Sequence, residues 1–240
     1  MSNQRGGAAL RLLNFVAMTL TQDCALCGAS IDALVCPRCV RALPHLLHAC
    51  ARCALPIPSN ATFCGACLKR DAHAFDDAIA AFEYRFPVDR LVQRFKYSGD
   101  LAMGRWLAGS LARAVARRPR PDLLVAPPLA NAGLRRRGFN QALVVARHVA
   151  RELRVRCDID AIRKMRETPN QQGLDRRQRL RNLRDAFACE RRFDGLHVAI
   201  VDDVLTTCAT ADILARLLRE RGAARVSAWA IARTPDPALR

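Results

Sequence analysis

Eight of the eleven cysteines fall into four Cys-x-x-Cys pairs: Cys24/Cys27, Cys36/Cys39, Cys50/Cys53 and Cys64/Cys67. Two cysteines three apart on a tight turn can grip a metal ion from one side, and two such knuckles complete a tetrahedral thiolate site. Gaps of eight, ten and ten residues separate successive pairs, short for a zinc ribbon but sufficient. The count predicts two structural Zn²⁺ sites with no open position for catalysis. Sequential pairing (first with second, third with fourth) and crossed pairing both fit, as does one occupied site beside a decayed one. His45 and His48 flank the third pair and are substitute ligands. A redox role is the rival reading; four pairs in succession favour metal, as does a reducing compartment.

A second constellation runs from His197 to Thr210, HVAIVDDVLTTCAT. An apolar strand ends in two adjacent carboxylates, and a threonine-rich turn then opens a helix. Unpaired N–H groups at a helix N-terminus attract phosphate. Thr206, Thr207 and Thr210 add hydroxyls, and Cys208 and Ala209 complete the turn. Asp202 and Asp203 stand at the carboxyl end of the strand, where ligands bind in open α/β sheets. They can hold ribose hydroxyls directly or through Mg²⁺. The plain alternative is a strand-loop-helix junction with a threonine cap.

These groups must be held by a chain of 240 residues, enough for one α/β domain and a small accessory module. The expected division is 1–75, an N-terminal helix and the four-CxxC module, and 76–240, an α/β domain. Ala8 to Leu20 reads as an amphipathic helix with Leu10, Leu13, Ala17 and Leu20 on one side. No apolar run reaches the roughly 18 residues that span a bilayer, so no membrane insertion and a cytoplasmic location are expected. Strands are predicted at Ile79–Phe86, Leu123–Ala126, Val155–Ile162, Phe187–Cys189, His197–Asp202 and Ala224–Arg233. Helices are predicted at Leu91–Tyr97, Leu101–Val115, Gln141–Leu153 and Ala211–Arg221. This alternation predicts a doubly wound, mainly parallel sheet.

The formal charge is +17, unevenly spread. Residues 113–192 carry 21 basic and 8 acidic side chains, whereas residues 76–112 and 193–240 balance. All but Lys69, Lys96 and Lys164 of the basic residues are Arg, whose planar fork suits phosphate. A solvated basic face is the bland reading of the same charges.

The His197–Thr210 segment resembles the phosphoribosyl-pyrophosphate (PRPP) motif of type I phosphoribosyltransferases. Val125 to Ala142, VAPPLANAGLRRRGFNQA, resembles the segment carrying the pyrophosphate loop in the ComF family. Residues 163–187 match that family's spacing of Thr168, Gln171, Leu174, Arg179, Asn182 and Phe187, and FKYSG at Phe95–Gly99 is similar too. The resemblance spans Cys24 to about Arg233. It implies a type I phosphoribosyltransferase fold behind a cysteine-rich zinc-ribbon module. It implies ribose contacts by Asp202 and Asp203 and a 5-phosphate cradle from Thr206 to Thr210. It also implies a pyrophosphate side at Pro127, Pro128 and Leu129, and a mobile loop within 163–187. The family pattern has Gly where this chain has Cys208, a position where Gly permits unusual dihedrals.

Three functions follow as expectations. A transferase would break the bond between ribose C1 and pyrophosphate, with Mg²⁺ and basic groups stabilising the leaving charge. Arg135, Arg136, Arg137 and Arg166 are the catalytic candidates, with Arg163, Lys164 and Arg179 also on the mobile stretch. A single-stranded-DNA-handling protein is the second, since the family is associated with DNA uptake in natural competence. Sparse aromatics argue against strong base stacking there. A docking adaptor for a protein of the competence machinery, with the zinc module as its surface, is the third.

Overall fold

In the computed structural model, residues 22–68, 73–129, 131–165 and 186–235 are described, those at 131, 132 and 136 by backbone alone. The expected N-terminal helix, most of the arginine-rich stretch and Arg166 lie outside the described residues. The chain divides into two units, Met1–Leu43 and Pro44–Arg240. The cysteine pairs are thus shared between them, two in each.

The first unit holds a hairpin of β1 (Gln22–Asp23) and β2 (Ser30–Ile31), followed by helix α1 (Pro37–Ala42). Gly28, at φ +70°, lets the turn fold back so that its N–H donates to the Cys24 carbonyl at 2.9 Å. Cys36 caps α1: its Sγ accepts from the Cys39 N–H at 3.4 Å. Pro37 occupies a first-turn position that needs no N–H donor.

The second unit begins with the other two cysteine pairs and the short helix α2 (Gly65–Leu68). A five-stranded parallel sheet then forms from β3 (Asp77–Glu83), β4 (Leu123–Val125), β5 (Arg156–Asp158), β8 (His197–Leu205) and β9 (Arg225–Arg233). The strand order is β3-β9-β8-β4-β5. A small antiparallel pair, β6 (Arg163–Lys164) and β7 (Phe187–Ala188), stands apart from it. The helices are α3 (Val88–Tyr97), α4 (Leu101–Val115), α5 (Asn131–Arg137), α6 (Gln141–Leu153) and α7 (Ala209–Glu220).

Both faces of the sheet are covered, as the apolar runs of β8 and β9 require. Val198 and Ile200 share one core with Leu214, Ala215 and Leu218 of α7, and with Cys50, Cys53, Cys64 and Cys67. Ala199 and Val201, which alternate to the opposite face, are equally buried. Helices α4 and α6, which pack on each other and on the sheet, contribute nothing to that first core and cover the second face.

The predicted helices at 101–115 and 141–153 coincide with α4 and α6. Asp100 caps α4 by accepting from the Met103 N–H at 2.9 Å. Strand β8 runs on to Leu205, beyond the predicted end at Asp202, because its ladder with β9 continues to the Leu205–Arg233 pair. Strand β5 is shorter than the predicted 155–162. Helix α5 went unpredicted, since its short polar sequence carries no apolar stripe. A Cβ on Gly104 would lie 2.3 Å from Phe95 Cε2. The missing side chain lets α4 close on α3 and carries the end of α3, with Lys96, toward the carboxyl edge of the sheet.

Candidate functional site

The four pairs sort into two clusters in sequential order: Cys24, Cys27, Cys36 and Cys39, and Cys50, Cys53, Cys64 and Cys67. Within each, the four Sγ atoms lie within 4.8 Å of one another. A tetrahedron with metal–sulfur bonds of about 2.3 Å has edges of about 3.8 Å. The Cys27–Cys36 and Cys53–Cys64 sulfurs are 3.7 and 3.6 Å apart, too far for a disulfide.

Backbone donors favour thiolates here. N–H groups, first that of Cys36 at 3.3 Å, bring Cys24 down to about 6. Burial opposes the charge on Cys50, yet the amides of Cys64, Cys53 and Arg52 outweigh it and lower that thiol to about 7. Three other sulfurs, those of Cys39, Cys53 and Cys67, resist ionisation beside them. Hydrogen bonding with the Cys27 and Cys36 sulfurs pushes Cys39 up to about 12. Burial and then the neighbouring thiolates do the same to Cys53 and raise Cys67 as well. Only a cation at the centre lets all four ionise together, so the donor set fits a metal ion such as Zn²⁺. Neither cluster includes His45 or His48; His45 lies against Phe82, with ring centroids 5.1 Å apart.

The second site is a cleft of about 170 Å³ near the carboxyl edge of the sheet. Lys96 of α3 and Lys164 and Phe187 of β6 and β7 line it together with residues from three further stretches. Asp202, Asp203 and Thr210 come from β8 and α7; Pro127, Pro128 and Leu129 follow β4; Arg137, Asn140 and Gln141 lie at the α5–α6 junction. The junction is built locally. Gly138, at φ +74°, turns the chain after α5. The Asn140 side chain then accepts from the Leu143 N–H at 3.2 Å to cap α6, and its amide donates to the Pro127 carbonyl at 3.0 Å. One residue thus starts a helix and pins the loop after β4.

Lys96 and Asp203 form an ion pair at 3.0 Å. Burial works against the lysine charge, but Asp203, with Asp202 behind it, outweighs it and holds the ammonium above its ordinary value. Burial and then the Asp203 carboxylate push Asp202 up to about 7, against the pull of Lys96 and Arg137. The Asp203 N–H donates to Asp202 Oδ1 at 2.8 Å. Arg137 donates to Gln141 Oε1 at 3.2 Å, and its guanidinium lies 5.6 Å from the centre of the Tyr97 ring. The cleft therefore combines a carboxylate pair with lysine and arginine cations, a set that can hold a polyhydroxylated, phosphorylated ligand.

Thr206, Thr207 and Cys208 form the link from β8 to α7, and the Thr207 hydroxyl accepts from the Ala209 N–H at 3.4 Å. Cys208 is buried and sits at φ +61°, ψ +8°. A non-glycine residue here holds the left-handed conformation that glycine adopts readily. Of the arginine candidates, Arg137 lines the cleft; Arg135 is exposed and does not, and nothing is described for the side chain of Arg136. Lys164 and Phe187, from β6 and β7, also line it. Lys96 had not been singled out as a site residue, although it lies within the Phe95–Gly99 stretch. That motif was the signal that could have found it.

The model of the phosphoribosyl transferase domain family matches residues 140–240. A DNA utilization protein YhgH from Salmonella typhi is 35% identical over 206 residues, covering 83% of this chain and 90% of that protein. Competence protein F of Haemophilus influenzae is 30% identical over 207 residues, covering 82% and 88%. A solved purine phosphoribosyltransferase from Pyrococcus horikoshii aligns at a TM-score of 0.36 with 18% identity, over 53% of this chain and 74% of that one. Among the described residues, no helix is long and apolar enough to cross a membrane.

Proposed function

The chain belongs to the ComF family of phosphoribosyltransferase-like proteins, and from that premise we propose that its cleft binds the phosphoribosyl group of PRPP, or of a nucleotide, together with Mg²⁺. The observation that carries this reading is the convergence of Asp202, Asp203, Lys96 and Arg137 on one cleft. Asp202 and Asp203 take the ribose hydroxyls, the Thr206–Thr210 turn takes the 5-phosphate, and Pro127 to Leu129 border the pyrophosphate. Lys96 holds the Asp203 carboxylate in place through its ion pair. Mg²⁺, when bound with the ligand, neutralises charge on the pyrophosphate oxygens.

Turnover would break the bond between ribose C1 and pyrophosphate, whose electron pair leaves with the pyrophosphate, while a nitrogen nucleophile bonds to C1. Arg137 is the candidate for meeting the charge that builds on the leaving group. Each cysteine cluster holds one structural Zn²⁺, and a cytoplasmic setting keeps the eight thiols available to it.

Calorimetric titration with Mg²⁺ and PRPP tests the reading, with Asp202→Asn and Cys208→Gly alongside. Saturable binding by the natural chain, lost in Asp202→Asn, is the expected result. Absence of binding in all three, with the fold intact, removes the phosphoribosyl reading.

A second reading draws on the names of the relatives, DNA utilization protein and competence protein F, and on the 21 basic side chains within residues 113–192. It is handling of single-stranded DNA in competence, alone or with a protein of that machinery. Binding through phosphates would weaken steeply with salt; a salt-independent affinity would count against it.

A further inference from the structure

Arg233, the last residue of β9, is a buried cation held by backbone carbonyls. Its Nε donates to the Cys53 carbonyl at 2.9 Å. One terminal nitrogen donates to the Leu205 carbonyl at 3.1 Å, to that of Thr206, and to that of Thr234 at 3.0 Å. The acceptors come from three places: the knuckle of the second cysteine cluster, the exit of β8 into the phosphate turn, and the exit of β9. The Leu205 carbonyl also accepts from the Thr234 N–H at 3.0 Å. Packing repeats the connection, because Cys50, Cys53, Cys64 and Cys67 share one core with Leu205 and Cys208.

A guanidinium can do this because it spreads five donors over a rigid plane. Each carbonyl it serves is fixed relative to the others. The Cys53 carbonyl belongs to the turn that presents a sulfur to the metal site. The Thr206 carbonyl belongs to the first residue of the turn that leads into α7.

We propose that Arg233 is a positioning residue that couples the second four-cysteine cluster to the Thr206–Thr210 turn, so that a metal ion at Cys50, Cys53, Cys64 and Cys67 sets the affinity for a phosphorylated ligand. The proposal rests on the phosphoribosyl reading of that turn. The cluster is then part of the ligand site's support. Coupling of this kind is reciprocal: if the metal strengthens ligand binding, the ligand strengthens metal retention by the same factor.

The test uses the full chain loaded with two Zn²⁺. Metal transfer to a chromogenic chelator is followed to equilibrium with and without saturating Mg²⁺ and PRPP, in the natural chain and in Arg233→Lys, and PRPP affinity is measured by calorimetry. Lysine keeps the charge but cannot bridge the same carbonyls. In the natural chain PRPP should raise the affinity for one of the two metals about tenfold, read from the equilibrium distribution of Zn²⁺ between protein and chelator. Arg233→Lys should retain both metals and a native near-ultraviolet circular dichroism spectrum, weaken PRPP binding about tenfold, and lose the protection. A purely structural role would leave the protection in place.

An identical metal distribution with and without PRPP, while calorimetry shows PRPP bound to the natural chain, overturns the coupling whatever becomes of the variant. Natural affinity or undiminished protection in a folded Arg233→Lys overturns the role of the arginine. Failure of the natural chain to bind PRPP is a separate result: it removes the phosphoribosyl reading, and the coupling falls with it.

Discussion

The Lys96 ammonium lies 3.0 Å from Asp203 Oδ2, at the end of a helix that Gly104 allows to pack closely. The pair sets the charge state of the cleft. Two adjacent carboxylates repel each other, and Lys96 and Arg137 both favour ionisation of Asp202 against burial and the neighbouring Asp203. Removing the cation should therefore disturb fold and site together.

Lys96→Met leaves Asp203 mostly buried beside a second carboxylate. Loss of one partner from such a pair should cost about 3 kcal/mol of stability, read from urea unfolding at pH 7. Affinity for Mg²⁺ and PRPP should fall as well. A Lys96→Met protein of natural stability and natural affinity would show that the pair matters to neither.

Asp202 predicts a pH signature. It ionises near 7 in the folded chain and near about 3.9 in the unfolded one, so the folded state holds the extra proton between those values. Its contribution to stability is fully present below about pH 4 and is lost as pH rises through 7. Asp202→Asn should flatten the stability profile and gain on the natural chain between pH 5 and pH 8, as measured by denaturant titration at each pH. Binding of Mg²⁺ and PRPP to the natural chain should strengthen over the upper part of that range, as Asp202 loses its proton.

Cys208 predicts an inversion of the usual ranking of alanine and glycine. At φ +61° any side chain with a Cβ carries a conformational cost of about 1–2 kcal/mol. Cys208→Ala keeps that cost and loses the buried thiol, whereas Cys208→Gly loses both. Cys208→Gly should therefore be the more stable of the two by about 1 kcal/mol, measured by thermal or urea unfolding. Cys208→Ala as the more stable variant would mean that the turn relaxes at no cost.

Metal analysis of the purified chain should return two Zn²⁺ per molecule, falling to one in Cys27→Ser and in Cys67→Ser. Cys67 belongs to the core beneath β8 and β9, so Cys67→Ser should lower the melting temperature of the sheet signal sharply. Chelation of the natural chain should reproduce that loss. A melting temperature indifferent to chelation would show that the buried cluster is held by packing alone.

Local chemistry made much of this protein legible from its residues. A Cys-x-x-Cys pair is itself a turn that presents two sulfurs, and two carboxylates before a threonine-rich turn mark a strand entering a helix. Periodicity located α4 and α6, because an apolar stripe every third or fourth residue has few other uses. What spacing left open, the tertiary structure decided. It chose sequential pairing of the cysteine knuckles, since each cluster forms where two turns are folded together. It carried β8 past Asp202, because a strand ends where its partner stops pairing. It brought Lys96 to Asp203, and Arg233 to the Cys53 and Thr206 carbonyls. Such contacts between segments remote in sequence are set by the packing of helices and strands, which no local pattern of residues records.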